Sequence, residues 1–305
     1  MGLSLKQGAF VVSIVVAVFV GGVLYPLWRS AVDRNEDVRA DPHHIAGNLY
    51  FVGDPADAAF LLVGDMGHVL IAGGGPGDAH KIVDNVEQLG FEIADVRALL
   101  AAGPTGSLAA LQQASRGDVW ASEADAGVLA SGGTNDPSRI YTPFKVMAWA
   151  GIETYPPPRI DHRVKDGETI RIGTLAVTAH VVGDGFPCTA WTFTVHDGER
   201  DLRVVHRCGL ELPYTASLVE PEQPPGIRAG FERTLGMLRN LPVDIWLTAH
   251  GVEYGRFRKY QASLSAADPA APFIDPDGYR ESIDKAEARF RALLAEQEKQ
   301  RRSPP

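Results

Sequence analysis

The sequence predicts a layered α/β sandwich, in which two β-sheets pack together and helices cover their outer faces. Strand-like segments come in two blocks, helical segments follow each block, and the last helix carries one apolar stripe suited to docking on a core. With 305 residues, of which 45% are hydrophobic, the chain is long enough to bury a substantial core.

The first block starts as a β-meander. Three short strands separated by Gly and Asp turns are predicted at Asn48–Val52, Ala59–Val63 and His68–Ile71. Asp78–Leu89 has apolar residues at helical spacing and is followed by Gly90, which favours a helix end. Val96–Leu100 then predicts a buried strand.

Strand and helix alternate through the next stretch. Ser107–Ser115 predicts a helix and Val119–Trp120 a strand. Ser122 and Asp125 form a capping-box pattern that predicts the start of another helix. The proline-containing segment Gly132–Pro158 predicts a long irregular loop.

The second block returns to β structure before two helices. The predicted elements are strands at Thr169–Ile172 and Leu175–Val182, a hairpin of Trp191–His196 with Leu202–Val205, a helix at Ile227–Leu238, a strand at Val243–Thr248 and a helix at Tyr279–Gln297. Residues 298–305 are predicted to be a charged, frayed tail.

Only two cysteines occur in the chain, which is too few for a disulfide framework. Cys188 and Cys208 flank the predicted hairpin at its open end. A disulfide is possible with this placement, but two reduced, half-buried thiols are the simpler interpretation.

An apolar segment near the amino terminus predicts a membrane anchor. Residues 9–28 carry no charge and are long enough to cross about 30 Å of hydrocarbon as a helix, after a short tail at 1–8. A cleaved signal peptide is the alternative, but the apolar run exceeds the usual length and no small-residue cleavage site follows it. A polar spacer at 29–43 then leads to the domain at 44–297, and His43 and His44 are expected to be exposed.

The charges around this segment leave the orientation open. Three arginines follow the span, whereas one lysine precedes it, and this basic-residue count favours a cytoplasmic domain. The formal net charge of −9 argues against a nucleic-acid partner, because phosphate binding requires a clustered basic surface.

Seven short strings, in order along the chain, resemble the metallo-β-lactamase fold and most closely the third subclass of zinc β-lactamases. They are Gly47–Gly53, Gly67–Ile71, Ala121–Ala126, Lys165–Glu168, Thr178–His180, Pro187–Thr192 and Thr248–His250. The resemblance covers roughly Ile45 to Gln297. It implies the same sandwich fold and a periplasmic domain, which conflicts with the basic-residue count.

The resemblance also implies a zinc-bound hydroxide held by a His-x-His-x-Asp-His loop, a Gly-His loop and a late histidine. In this chain, Ala101–Leu108 stands where the first loop should be, and no His, Cys, Asp or Glu occurs between Arg97 and Gly117. Ala72 stands where the family usually has an aspartate that orders this loop. We therefore expect no metal and no cofactor, with zinc as the alternative.

Two residues remain at the family's other ligand positions. Asp184 replaces the histidine of the Gly-His loop, and His250 matches the late histidine. We expect them to be a vestigial site. The alternative is a makeshift metal site completed by Glu253 or Cys188, which requires these side chains to converge.

The replaced loop suggests another use. Gly103, Thr105, Gly106 and Ser107 open a predicted helix and are a candidate anion-binding turn, because backbone N–H groups at helix N-termini favour negative charge. A simple strand-to-helix connection with Ser107 as the N-cap is the alternative.

Two functions follow from these observations. The missing ligand loop favours a membrane-anchored pseudoenzyme that serves as a binding or assembly subunit of a membrane complex. The retained body of the fold keeps a metal-dependent hydrolase with a non-standard site as the alternative.

Overall fold

The computed structural model describes residues 41–54, 57–75, 77–103, 105–136, 154–182, 188–212 and 216–302. The predicted anchor at 9–28 lies outside these residues. Within them, no helix is both long enough and apolar enough to span a bilayer.

The strands of the described residues form two sheets. They are β1 (His43–Ala46), β2 (Leu49–Phe51), β3 (Phe60–Leu62), β4 (His68–Ala72), β5 (Val96–Ala101), β6 (Asp118–Ser122), β7 (His162–Val164), β8 (Thr169–Ile172), β9 (Leu175–Val182), β10 (Cys188–Asp197), β11 (Arg200–Arg207) and β12 (Ile245–Thr248). One sheet has β1 to β7 in sequence order, and the other has the order β12-β11-β10-β9-β8. Strands β4 to β7 run parallel to each other, as do β11 and β12.

Helices cover the outer faces of both sheets. They are α1 (Ala79–Gln88), α2 (Leu108–Ser115), α3 (Glu123–Ala130), α4 (Ile227–Asn240), α5 (Arg256–Ser263) and α6 (Pro276–Arg302), with short 3-10 turns at Ile93–Asp95 and Ala271–Phe273. Apolar residues of α1 and α2 bury against the first sheet. On the second sheet, α4 and α6 pack together through the stacked rings of Phe231 and Phe290, 5.0 Å apart. The architecture is the predicted two-sheet sandwich with helices outside.

Trp191 joins the two sheets. Its side chain is fully buried on β10, and its indole Nε1 donates a hydrogen bond to the carbonyl of Ala101 at the end of β5, 2.9 Å away. A buried indole N–H requires such a partner. This bond fixes the end of β5 against the second sheet.

Several boundaries differ from the sequence expectation. His43 was expected in an exposed spacer, but it begins β1 and is buried against the rings of Phe51 and Tyr260. The expected frayed tail after Glu298 instead continues α6 as far as Arg302. No sequence pattern predicted α5, whose buried face includes the charged residues Arg256 and Lys259. Tertiary contacts explain the burial of His43 and of the α5 cations, which local polarity conceals. The extension of α6 is mostly exposed, and Arg302 lies 3.7 Å from Glu298 within the same helix.

Candidate functional site

The carboxyl ends of the parallel strands meet at one edge of the sandwich. Thr189 at the start of β10 donates a hydrogen bond to Asp125 at the start of α3, 2.6 Å away. The backbone N–H of Ala58 donates to the carbonyl of Ala249 after β12, 2.7 Å away. The first bond joins the start of β10 to the start of α3 after β6, and the second joins the loop between β2 and β3 to the loop after β12. We call this edge the loop edge. In open α/β sheets, ligands bind outside the carboxyl ends of strands.

The loop after β5 is closed by its own hydroxyl groups. Thr105 donates from Oγ1 to the carbonyl of Gly74 at 2.6 Å, and Ser107 donates from Oγ to the carbonyl of Gly73 at 2.7 Å. The backbone N–H of Gly106 also donates to Gly74, at 3.1 Å. Three donors of the candidate anion-binding turn are thus bonded to the loop after β4, which favours the strand-to-helix connection. Ser107 occupies the N-cap position of α2, but its side chain makes no cap hydrogen bond.

His250 lies in the loop after β12, at the position expected from the sequence. The hydroxyl of Thr248 accepts from the backbone N–H of His250 at 3.2 Å and donates to its carbonyl at 2.8 Å. The ring Nδ1 lies 3.4 Å from Oδ1 of Asp57, and the two side chains are 44% and 34% exposed. Asp57 was not anticipated, since nothing in its local sequence pairs it with His250.

Glu253 is the counterion of a buried arginine. Nη2 of Arg207 lies 3.1 Å from Oε2 of Glu253, Nη1 donates to the carbonyl of Cys208, and the guanidinium lies 5.2 Å from the centre of the Trp246 ring. Burial lowers the pKa of Arg207, and Glu253 opposes that effect. Removing Glu253 from this pair would leave a buried charge uncompensated, so it is committed to Arg207.

The two cysteines form a disulfide bond, and the alternative of two reduced thiols is wrong. Cys188 at the start of β10 joins Cys208 just after β11, with 5.5 Å between their Cα atoms. The bond crosses the open end of the hairpin at the loop edge. A disulfide sulfur is not available as a thiolate ligand, so Cys188 does not contribute to a metal site.

Asp125 is a buried carboxyl group at the base of the loop edge. Its Oδ2 accepts from Thr189 at 2.6 Å and from Ser122 at 2.7 Å, and Ser122 caps α3 by accepting from the Asp125 backbone N–H. Burial raises the pKa of Asp125, and the two hydroxyl hydrogen bonds oppose this shift. The predicted capping pattern is therefore correct, and it also fixes β10 to α3.

The described side chains do not fit zinc. A zinc site needs three or four His, Cys or carboxylate ligands on one ion. Across the described ranges, no three such side chains cluster in a way that would hold a metal ion. His250 faces Asp57, Glu253 is bound to Arg207 and Cys188 is in a disulfide, so the three do not converge. Asp184, the other member of the expected vestigial site, lies outside the described residues.

Comparison with solved structures shows which proteins this fold is similar to. No protein-family model matches the sequence. Among solved structures, the chain is similar to Rm3 metallo-β-lactamase, with 28% identity, a TM-score of 0.76, and coverage of 89% of this chain and 98% of that one. It is also similar to BJP-1, a subclass B3 metallo-β-lactamase of Bradyrhizobium japonicum, with 26% identity, a TM-score of 0.74, and coverage of 84% and 94%.

A third structure has the same relationship to this chain. Native FEZ-1 metallo-β-lactamase from Legionella gormanii shares 25% identity, with a TM-score of 0.76 and coverage of 84% of this chain and 96% of the enzyme. These similarities agree with the seven sequence strings and with the two-sheet architecture. The chain therefore has the metallo-β-lactamase fold and, over most of its length, is similar to the subclass B3 metallo-β-lactamases.

Proposed function

We propose that this chain is a membrane-anchored metallo-β-lactamase-fold protein that no longer catalyses zinc-dependent hydrolysis and instead serves as a binding or assembly subunit of a membrane complex. The loop after β5 carries this proposal. In the zinc enzymes that the sequence resembles, this loop supplies most of the ligands, whereas here its hydroxyl side chains bond to Gly73 and Gly74. A bound water becomes acidic only when the metal is held firmly, and this loop contributes no ligand to hold it.

The other family positions support the same proposal. His250 is the one ligand retained in identity, and its ring Nδ1 faces Asp57. A single histidine on an exposed loop binds zinc weakly compared with three or four convergent ligands.

The anchor and the side of the membrane are also part of the proposal. Residues 9–28 form an uncharged run of membrane-spanning length. The Cys188–Cys208 disulfide favours an oxidising compartment, and therefore an extracytoplasmic domain such as one in the periplasm. This argues against the cytoplasmic placement that the basic-residue count favours.

A metal-dependent hydrolase with a non-standard site is the second candidate. It is favoured by the similarity to proteins named metallo-β-lactamases and by the retained His250. Such an enzyme would need Asp184 and further ligands to converge on His250.

One experiment separates the two candidates. The full-length protein is purified in detergent, incubated with zinc and dialysed, and then its metal content and its turnover of a β-lactam and of a general ester are measured. A subclass B3 enzyme prepared in the same way is the control. We expect no stoichiometric zinc, no turnover above background and no change in melting temperature with a chelator, because the core does not need a metal to fold. Stoichiometric zinc with turnover would establish the hydrolase.

The anchor has its own test. The full-length chain should stay in the membrane fraction after alkaline carbonate washing, and removal of residues 1–40 should release it. A mature protein found in the soluble fraction, with an amino terminus beyond Gly22, would establish a cleaved signal peptide instead.

A further inference from the structure

The helix α5 exposes large apolar side chains on one face. Phe257 is 42% exposed, and Leu264, which caps the carboxyl end of the helix, is 65% exposed. Positions 257, 261 and 264 follow the i, i+4, i+7 spacing of a single helix face, so Phe257, Gln261 and Leu264 form what we call the α5 face. Val252, in the turn just before the helix, is also exposed.

The opposite side of α5 is fixed to the domain. Nζ of Lys259 lies 2.8 Å from Asp275 and 5.3 Å from the centre of the Trp246 ring. The guanidinium of Arg256 lies 4.7 Å from the centre of the Phe51 ring. Both cations are buried. A rotation of α5 that buried the apolar face would move these cations into solvent and break their contacts with Asp275 and the aromatic rings. The α5 face therefore points permanently away from the core.

The described chain begins next to this helix. The ring of His43, in the first strand, stacks on Tyr260 of α5 with 4.1 Å between the ring centres. Residues 29–40, between the proposed membrane span and the start of the described domain, are twelve residues. Fully extended, twelve residues reach about 40 Å. A chain anchored at residue 28 would hold the start of the described domain, and α5 beside it, no more than about 40 Å from the end of the span.

The charge of this segment suits a lipid surface. No Asp or Glu occurs from Tyr254 to Ala266, although the whole chain has a formal net charge of −9. Arg258 is exposed beside Phe257. Anionic headgroups repel acidic surfaces and attract basic ones, and interfacial helices place apolar side chains below the headgroups with basic residues at their border.

We propose that the α5 face rests on the lipid bilayer to which the amino-terminal segment tethers the chain. This inference depends on the proposed membrane anchor but not on the loss of zinc chemistry. His250 lies in the loop immediately before α5, so docking turns the loop edge toward the membrane. A ligand that reaches this edge would then be amphipathic or embedded in the bilayer.

Site-specific quenching tests the docking. A single cysteine is introduced in the full-length chain as Phe257→Cys or Leu264→Cys and labelled with an environment-sensitive fluorophore under non-reducing conditions, since both native cysteines are in the disulfide. The proteins are reconstituted into vesicles of phosphatidylcholine and phosphatidylglycerol that carry a nitroxide near the top of the acyl chain. Met66→Cys is the matched control, because Met66 is 72% exposed and lies after β3, at the end of that strand far from His43.

We expect the nitroxide lipids to remove most of the emission at 257 and 264 and little at 66, because side chains of interfacial helices lie about 5–10 Å into the headgroup boundary. In the Leu264→Cys protein, the added substitution Phe257→Asp should reduce quenching, while Met66→Asp should not. Vesicle flotation is measured on the same samples. Flotation with equal quenching at 257, 264 and 66 would overturn the docking and leave the anchor intact, whereas protein that does not float would overturn the anchor and the docking together.

Discussion

The loop after β5 and the loop after β12 lie at the same edge of the sandwich, but only the second keeps a side chain that could bind a metal. The first has only small and hydroxylated side chains among its described residues, and it is closed by bonds from Thr105 and Ser107 to neighbouring carbonyls. The second keeps a histidine and places it against the carboxylate of Asp57. The fold therefore holds a loop in place by backbone and hydroxyl contacts that do not depend on a metal.

The largest expected effect on stability is that of Trp191→Ala, at the base of the loop after β5. Trp191→Ala should lower the free energy of unfolding by about 3–5 kcal/mol, because it empties a fully buried site and removes the hydrogen bond to Ala101. Urea unfolding of the full-length protein in detergent measures this. Trp120→Ala is the control, since Trp120 is only half-buried and stacks on His162 at the surface of the sheet. Equal losses in the two variants would show that Trp191 does not hold the sheets together.

The next largest effect is a pH dependence of the free energy of unfolding, caused by the buried His43. Burial lowers the pKa of His43 to about 4, and the ordinary histidine pKa of 6.5 applies in the unfolded chain. At pH 7 both states are neutral, but as the pH falls below 6.5 the unfolded chain binds the proton first. Between pH 7 and pH 5 this linkage should lower the free energy of unfolding by about 2 kcal/mol.

His43→Phe should remove that part of the acid destabilisation while keeping the ring contact with Tyr260. Urea unfolding at pH 7 and pH 5 gives the difference for each protein. His206, whose pKa burial lowers to about 3, continues to destabilise the variant at low pH. His44→Phe is the matched control, because His44 is exposed and adjacent in sequence. The same pH difference in wild type and His43→Phe would contradict the burial of a neutral His43.

A smaller effect is expected within the first loop itself. Ser107→Ala removes the buried hydrogen bond to the carbonyl of Gly73 and should cost about 1 kcal/mol in urea unfolding. Thr134→Ala, which removes an exposed hydroxyl group, is the control. If the turn bound an anion, phosphate would raise the melting temperature of the wild type and not of Ser107→Ala, and this result would restore the anion-binding hypothesis.

Sequence reasoning succeeded where one periodic pattern covers a whole element. An apolar stripe predicted α6, and its members are Tyr279, Ile283, Ala286, Phe290, Leu293 and Leu294. The first four are buried, and the two leucines are partly buried. The predictions are wrong where the burial of a residue depends on contacts that are distant in sequence. His43 looks polar in sequence, but Phe51, Tyr260 and Phe273 surround it in the fold.

The candidate site also has features that the sequence predicts and features that it does not. The absence of ligands after β5 and the position of His250 could be read directly from the sequence, because each depends on residue identity at a short motif. The partners of these residues could not be predicted. Asp57 meets His250 because the two sheets bring the loop between β2 and β3 to the loop after β12. Glu253 meets Arg207 because β11 and β12 are neighbours in the second sheet. Since Glu253 has a local sequence like that of any exposed loop, nothing nearby indicates a buried arginine.

The smallest expected effect is that of His250→Ala, and it compares the two loops most directly. His250 stands at the position of a family metal ligand, but its side chain is 44% exposed and lies beside a partly exposed Asp57. Exposed contacts between a histidine and a carboxylate contribute little to stability, so the substitution should change the free energy of unfolding by less than about 0.5 kcal/mol. Hydrolysis should be at background in both proteins. Asp57→Asn is the matched control and should behave in the same way, since it removes the same contact from the other side. Zinc-dependent turnover in the wild type that disappears in His250→Ala would show that the second loop still supplies a metal ligand and that the first loop is not needed for it.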